Sequence, residues 1–185
     1  QLEGKNILLR NVIRELVAGI LEVDRTYLPF KILQLEKDVT TLFEFEKGKV
    51  AKLFGIIDRV DEKDEVLRIV DYKTGKVEKR KPAEIADYFH EVEYKEQFQA
   101  MYYAYLTNIC IPGRKISSGL MVLKSMKEGI WMLNNGEPFA TEQFLQFEEH
   151  LKKLISDIFD PTKPFTQTED ESRCTYCSFK EMCHR

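Results

Sequence analysis

The sequence predicts a mixed α/β (α+β) domain, and three observations point there. Residues 7–23 carry an apolar row at i, i+3, i+4, i+7 spacing. Residues 32–73 break into short β-rich runs separated by polar turns. Two further helical stripes, 94–109 and 141–159, flank another strand-like run at 117–125. Helix, strand meander, helix, strand, helix is the order of a sheet that carries helices on its faces.

Each element has its own signal. In the first helix, Leu9, Val12, Ile13, Leu16, Val17, Ile20 and Leu21 share one side. The meander divides into runs at 32–39, 41–46, 50–61 and 66–73. Glu46-Lys47-Gly48-Lys49 and Asp61-Glu62-Lys63-Asp64 are read as its turns. Tyr94, Phe98, Met101, Tyr102, Tyr105 and Ile109 form the next stripe, which Ile111-Pro112-Gly113 stops. A short strand is expected near 130–133. A final helix aligns Phe144, Phe147, Leu151, Leu154, Ile155 and Ile158 before Asp160-Pro161 ends it.

Composition narrows the function classes. The chain has 185 residues, 28 Lys or Arg against 31 Asp or Glu, a net charge of −3, and 43% hydrophobic residues. That apolar content and near-neutral charge exclude global disorder. The longest apolar runs, such as 16–21, fall far short of the roughly 18 residues that suggest a membrane span. No basic segment followed by an apolar one opens the chain, so a cytoplasmic location is expected. The first residue is Gln rather than Met, which reads as a processed chain or a fragment, most simply a single domain over 1–185. Three of the four cysteines, Cys174, Cys177 and Cys183, crowd a tail at 170–185, while Cys110 stands apart. In a chain without a secretory signal, C-x2-C-x5-C reads as a metal or cluster motif before disulfides.

The informative segment is Gly55-Ile56-Ile57-Asp58-Arg59-Val60-Asp61, followed by Ile69-Val70-Asp71-Tyr72-Lys73-Thr74-Gly75-Lys76. Alternate strand residues share a face, so Leu67 and Ile69 lead an acid, Asp71, and a base, Lys73, out of an apolar row. Asp58 shares parity with Ile56, and pairing of the two runs would bring both carboxylates to one end of the sheet. Two carboxylates and a lysine suit metal-assisted phosphodiester cleavage. Mg2+ takes one or two protein carboxylates and keeps places for water and phosphate. Bound metal lowers the pKa of water, and a lysine can orient that water and offset charge on phosphorus. Thr74-Gly75-Lys76 lacks the spacing of a phosphate-binding P-loop. Lys73, Lys76, Lys79, Arg80 and Lys81 cluster beyond the strand and are candidate contacts for backbone phosphates of DNA.

From about residue 33 to 183 the chain resembles the PD-(D/E)XK nuclease superfamily, specifically its RecB-like and AddB-like branch. Gly-x-x-Asp-Arg-Val-Asp and Ile-Val-Asp-Tyr-Lys-Thr-Gly-Lys carry the resemblance. It implies a restriction-endonuclease-like core with a mixed central sheet. It implies Asp58 and Asp71 as ligands of Mg2+ or Mn2+, with the Tyr72 carbonyl as an extra ligand, and Lys73 as the motif lysine that orients or activates the attacking water. Glu36 falls where the family carries a glutamate before the strands, with either an outer metal-site role or a structural one. The family's Gln-x-x-x-Tyr motif has two registers here, starting at Gln97 or at Gln99. Gln99 and Tyr103 lie about 40° apart on one flank of the helix and complete the motif, so that pair is preferred.

The cysteine tail resembles that of AddB-type nucleases and related CRISPR-associated nucleases, where three cysteines join a distant one to hold a [4Fe–4S] cluster. Four thiolates are the usual requirement. Here no cysteine precedes Glu36 and no histidine precedes Asp58. The expectation is an incomplete metal site and no intact cluster in this chain, although the intact protein would carry one. The resemblance further implies a DNA exonuclease working with a helicase domain or subunit in double-strand-break repair. Other readings are a stand-alone CRISPR-associated nuclease, an inactive DNA-binding scaffold, and a zinc module in which His184 joins the tail cysteines.

Overall fold

The computed structural model describes residues 3–82, 84–164 and 166–185. Helix α1 (Lys5–Arg25) leads into a meander of β1 (Lys31–Glu46), β2 (Lys49–Lys63) and β3 (Val66–Lys73). After a loop come a short α2 (Asp87–His90) and the long α3 (Lys95–Cys110). Strands β4 (Lys115–Val122) and β5 (Trp131–Met132) follow, and α4 (Thr141–Phe159) precedes the tail. The five strands lie in the order β1-β2-β3-β4-β5. Only the β3–β4 pair is parallel, so the sheet is mixed and α3 serves as its crossover. This is the α/β architecture of a restriction-endonuclease-like fold.

Helices α3 and α4 cover one face. Leu53, Ile57, Val60, Leu67, Ile69, Ile116 and Leu120 of the sheet pack with Met101, Ala104 and Leu106 of α3 and with Phe144, Phe147 and Leu151 of α4. Chain punctuation follows the local chemistry. Gly48, at φ +77°, closes the β1–β2 turn, and its N–H donates to Glu44 Oε1 at 2.7 Å. Cys110 is the last residue of α3, before Pro112 and Gly113 (φ +80°). At the start of α4, Gln143 Oε1 accepts the free N–H of Ala140 at 2.9 Å.

Three expectations about the meander need correction. The runs at 32–39 and 41–46 are one continuous strand, β1. The β2–β3 turn is Asp64-Glu65, at φ +51° and +64°, because the ladder continues to Lys63↔Val66. Asp61 lies inside the strand, at 0% exposure, because two arginines neutralise it. Finally, β2 does not keep one parity. Leu53 and Ile57 are buried up to the middle of the strand and Val60 beyond it, while Ile56 stays 43% exposed. The pleat switches at Asp58, and the facing strand shows why. Glu36 sits at φ +47° between the pairs Leu35↔Arg59 and Lys37↔Ile57. Such local irregularities re-aim strand side chains and are common beside active sites.

The opposite face of β2 and β3 carries a buried ionic cluster. Arg59 donates twice to Asp24 of α1, at 2.9 and 3.0 Å, and once to Asp61 at 2.8 Å. Arg68 grips Asp61 through two hydrogen bonds at 2.9 and 2.8 Å. Its guanidinium also lies over the Tyr27 ring, 3.5 Å from the centroid. Asp24 is the one buried residue of α1, whose Leu8, Leu9 and Val12 remain exposed. Among the described residues, no helix is long and apolar enough to cross a membrane.

Candidate active site

The site forms where β2 and β3 part. Their ladder closes at Arg59↔Val70, and one further step sets Asp58 across from Asp71. In place of another rung, the Tyr72 N–H donates to Asp58 Oδ2 at 2.7 Å. Asp71 follows Ile69 and Leu67 on the α3-covered face and is 3% exposed. Its Oδ2 lies 2.7 Å from Lys73 Nζ, yet it is buried without a well-directed hydrogen bond. The ammonium is therefore close enough to neutralise the carboxylate but is not aligned for a hydrogen bond with it. Lys73 donates to Gln99 Oε1, and Gln99 Nε2 donates to the Tyr103 hydroxyl at 2.8 Å. Lys73 keeps 20% of its side chain exposed, so the line Tyr103–Gln99–Lys73–Asp71 meets solvent at its lysine.

The electrostatics follow from this geometry. Burial pushes the Asp71 carboxyl above its ordinary value, the Lys73 ammonium pulls it back, and Asp58 and Glu96 push it up again. An ionised Asp71 is thus held at a cost that one ammonium does not remove. An oxygen-seeking cation fits this deficit. The donors are hard carboxylate oxygens, and one of them, Asp71 Oδ2, is buried without a hydrogen bond. Among the described residues, no group of three or more His, Cys, Asp or Glu converges as a metal cage. Two carboxylates on facing strands fall below that count and match Mg2+, which completes its shell with water and phosphate.

The structure brings together Asp58, Asp71, Lys73, Gln99 and Tyr103. Glu36 lies within β1 rather than before the strands, where the pairs Leu35↔Arg59 and Lys37↔Ile57 set it across from Asp58 in the register, and its side chain is exposed. Of the four basic residues after Lys73 expected to contact phosphate, three already have partners. Lys79 pairs with Glu128, Arg80 with Glu78, and Lys81 donates to Asn135, which leaves Lys76 exposed and unpaired among the described residues. Cys174, Cys177 and Cys183 are free thiols, and the Phe179 N–H donates to Cys177 Sγ at 3.4 Å. Three thiols that do not converge do not fit a four-thiolate cluster.

Several site residues were not singled out from sequence. Gly55 makes room for Tyr103, since a Cβ there would come within 2.8 Å of the ring. Glu96 adds its charge to Asp71, and its signal was its place one turn before Gln99 on the same flank. Gln97, the rejected register, is fully buried, and its Nε2 holds the carbonyls of Glu78 and Arg80 at 2.7 and 3.2 Å. It fastens the basic loop rather than the acids.

A mixed sheet that delivers two carboxylates and a lysine from neighbouring antiparallel strands, beneath a helix that orients the lysine, defines a nuclease of restriction-endonuclease-like architecture. Residues 4–184 match the family profile described as the PD-(D/E)XK nuclease superfamily, and the chain belongs to that superfamily. Membership implies nuclease activity on DNA, and such nucleases generally use divalent metals such as Mg2+. A comparison with curated proteins gives no significant match.

Proposed function

We propose that this chain is a Mg2+- or Mn2+-dependent DNA exonuclease domain of the RecB/AddB-like branch. It would act in the cytoplasm with a helicase domain or subunit in double-strand-break repair. The observation that carries the nuclease reading is the line from Tyr103 through Gln99 to Lys73 by hydrogen bonds and on to Asp71 by an ion pair, with Asp58 one rung away. Support for the branch comes from the Gly-x-x-Asp-Arg-Val-Asp and Asp-Tyr-Lys-Thr-Gly motifs and the C-x2-C-x5-C tail.

Asp58 and Asp71 would hold the cation, joined by the Tyr72 carbonyl. When bound, the metal polarises the phosphate and lowers the pKa of water. Asp58 is fixed for its part by the Tyr72 amide, which occupies Oδ2 and leaves Oδ1 for a ligand. Lys73 orients the attacking water. Gln99 takes up one of its three donors, and Tyr103 fixes the Gln99 amide so that its oxygen faces the ammonium. As the water oxygen bonds to phosphorus, the phosphorus–oxygen bond to the leaving sugar breaks and that sugar oxygen takes up a proton from solvent. The water proton leaves to solvent beside Lys73, whose charge offsets the developing negative charge. Lys76 is free to meet a neighbouring phosphate.

The test is cleavage of linear DNA in Mg2+ by the chain and by Lys73→Ala. Progressive loss of terminal nucleotides that disappears in the variant is the expected result. Binding without cleavage by the unsubstituted chain would indicate a scaffold that keeps the nuclease fold.

A further inference from the structure

We propose that a pocket two strands from the carboxylates holds an unpaired nucleobase of the strand being cut, stacked against Trp131. The proposal deepens the nuclease reading above and rests on it. Register fixes the relation between the two places. Asp71 pairs with Leu120, and Leu120 pairs with Trp131, so the three stand in one row across β3, β4 and β5. They share a face, because Leu120 belongs to the core beneath α3 and Trp131 packs against that core. Two strand spacings put the Trp131 backbone about 10 Å from that of Asp71. That is roughly three stacked repeats of 3.4 Å along a DNA strand, or fewer when the strand is drawn out.

The cavity measures about 640 Å³, within the usual range for a ligand site. Its walls combine the aromatic rings of Trp131, Tyr88 and Phe139 with Gln146 and His150 of α4, and Lys81 stands at the rim. Trp131 is half-buried, which leaves ring surface open to a flat partner. Gln146 is exposed and has no hydrogen bond among the described residues, so its amide offers both a donor and an acceptor to a base edge. The basic loop that leaves the active-site strand at Lys73 reaches this pocket at Lys81, and Gln97 pins it at Glu78 and Arg80 on the way. A phosphodiester backbone following that loop would deliver a base to the pocket and a phosphate to the carboxylates. Stacking accepts any base, so the pocket selects unpaired strands rather than a sequence.

Trp131 is the chain's only tryptophan and reports on its own pocket. Binding is measured without divalent metal, using a short labelled oligothymidylate and an oligomer of the same length built of abasic sugar-phosphates. Anisotropy of the label reports association, and tryptophan emission reports stacking. The expected result is that both oligomers bind, the thymidylate about tenfold more tightly, and that only the thymidylate quenches Trp131. Gln146→Ala, an exposed substitution that leaves the core intact, weakens the thymidylate and spares the abasic oligomer. Thymidylate binding with no quenching, or equal quenching by both oligomers, overturns the pocket and leaves the nuclease reading standing. Failure of both oligomers to bind overturns the two together.

Discussion

Lys73 and Asp71 carry opposite charges 2.7 Å apart, and their substitution is expected to show in different measurements. A lysine that orients water and offsets charge in the transition state is worth roughly two to three powers of ten in rate, the usual range for one group that stabilises developing charge. Lys73→Ala therefore loses that much cleavage, measured under single-turnover conditions, while DNA binding persists. Asp71 behaves differently, because its burial favours the protonated form. A carboxyl whose pKa is raised by folding contributes stability that is fullest below its ordinary value near 3.8 and is lost as pH rises through the raised value. Asp71→Asn removes that loss. Its melting temperature at neutral pH, without metal, exceeds that of the unsubstituted chain, and the gap closes in acid. Added Mg2+ raises the melting temperature of the unsubstituted chain but not of the variant, since a ligand stabilises only the state that binds it.

At the scale of elements, the site depends on how closely α3 lies against β2. Gly55 has the Tyr103 ring where a Cβ would sit, at 2.8 Å, with Leu106 behind it. Gly55→Ala forces the ring aside and costs about 1–3 kcal/mol for the crowding. Because Tyr103 orients Gln99, the same change lowers the rate of cleavage more than it weakens DNA binding. Comparison of single-turnover rates with binding affinities checks it. Glu36 marks the opposite case, a non-glycine residue held in the left-handed region at φ +47°. Glu36→Gly keeps the kink without the steric penalty and leaves stability equal or higher, whereas Glu36→Val costs about 1–3 kcal/mol. Denaturant midpoints separate the two.

For the whole molecule, α1 is joined to the sheet through Asp24, which neutralises Arg59 on the face away from the carboxylates. Asp24→Ala strips Arg59 of its bidentate partner and costs about 3–5 kcal/mol, seen as a lower denaturant midpoint. The motif Gly55-x-x-Asp58-Arg59-Val60-Asp61 thus divides its work between two faces: Gly55 and Asp58 shape the site, and Arg59 and Asp61 hold the back. Sequence alone made the mixed sheet and its long helices legible, because apolar periodicity is a local quantity, whereas Asp58, Asp71, Lys73, Gln99 and Tyr103 were singled out by the resemblance of their motifs, helical angle deciding only the Gln99 register. The β2 parity switch was not legible, since it arises from a backbone conformation at Glu36 on another strand. The true β2–β3 turn was hidden because Asp61 looks like a turn residue until Arg59 and Arg68 surround it. Glu96 and the partners of the basic loop depend on tertiary packing that no spacing rule reports.

The most direct measurement of the central claim is an anomalous-difference map from crystals soaked in Mn2+. A peak bonded to carboxylate oxygens of both Asp58 and Asp71, at roughly the 2.0–2.2 Å of such metal–oxygen bonds, is the predicted result. A fully occupied Mn2+ seated elsewhere, with both aspartates unliganded, would contradict it.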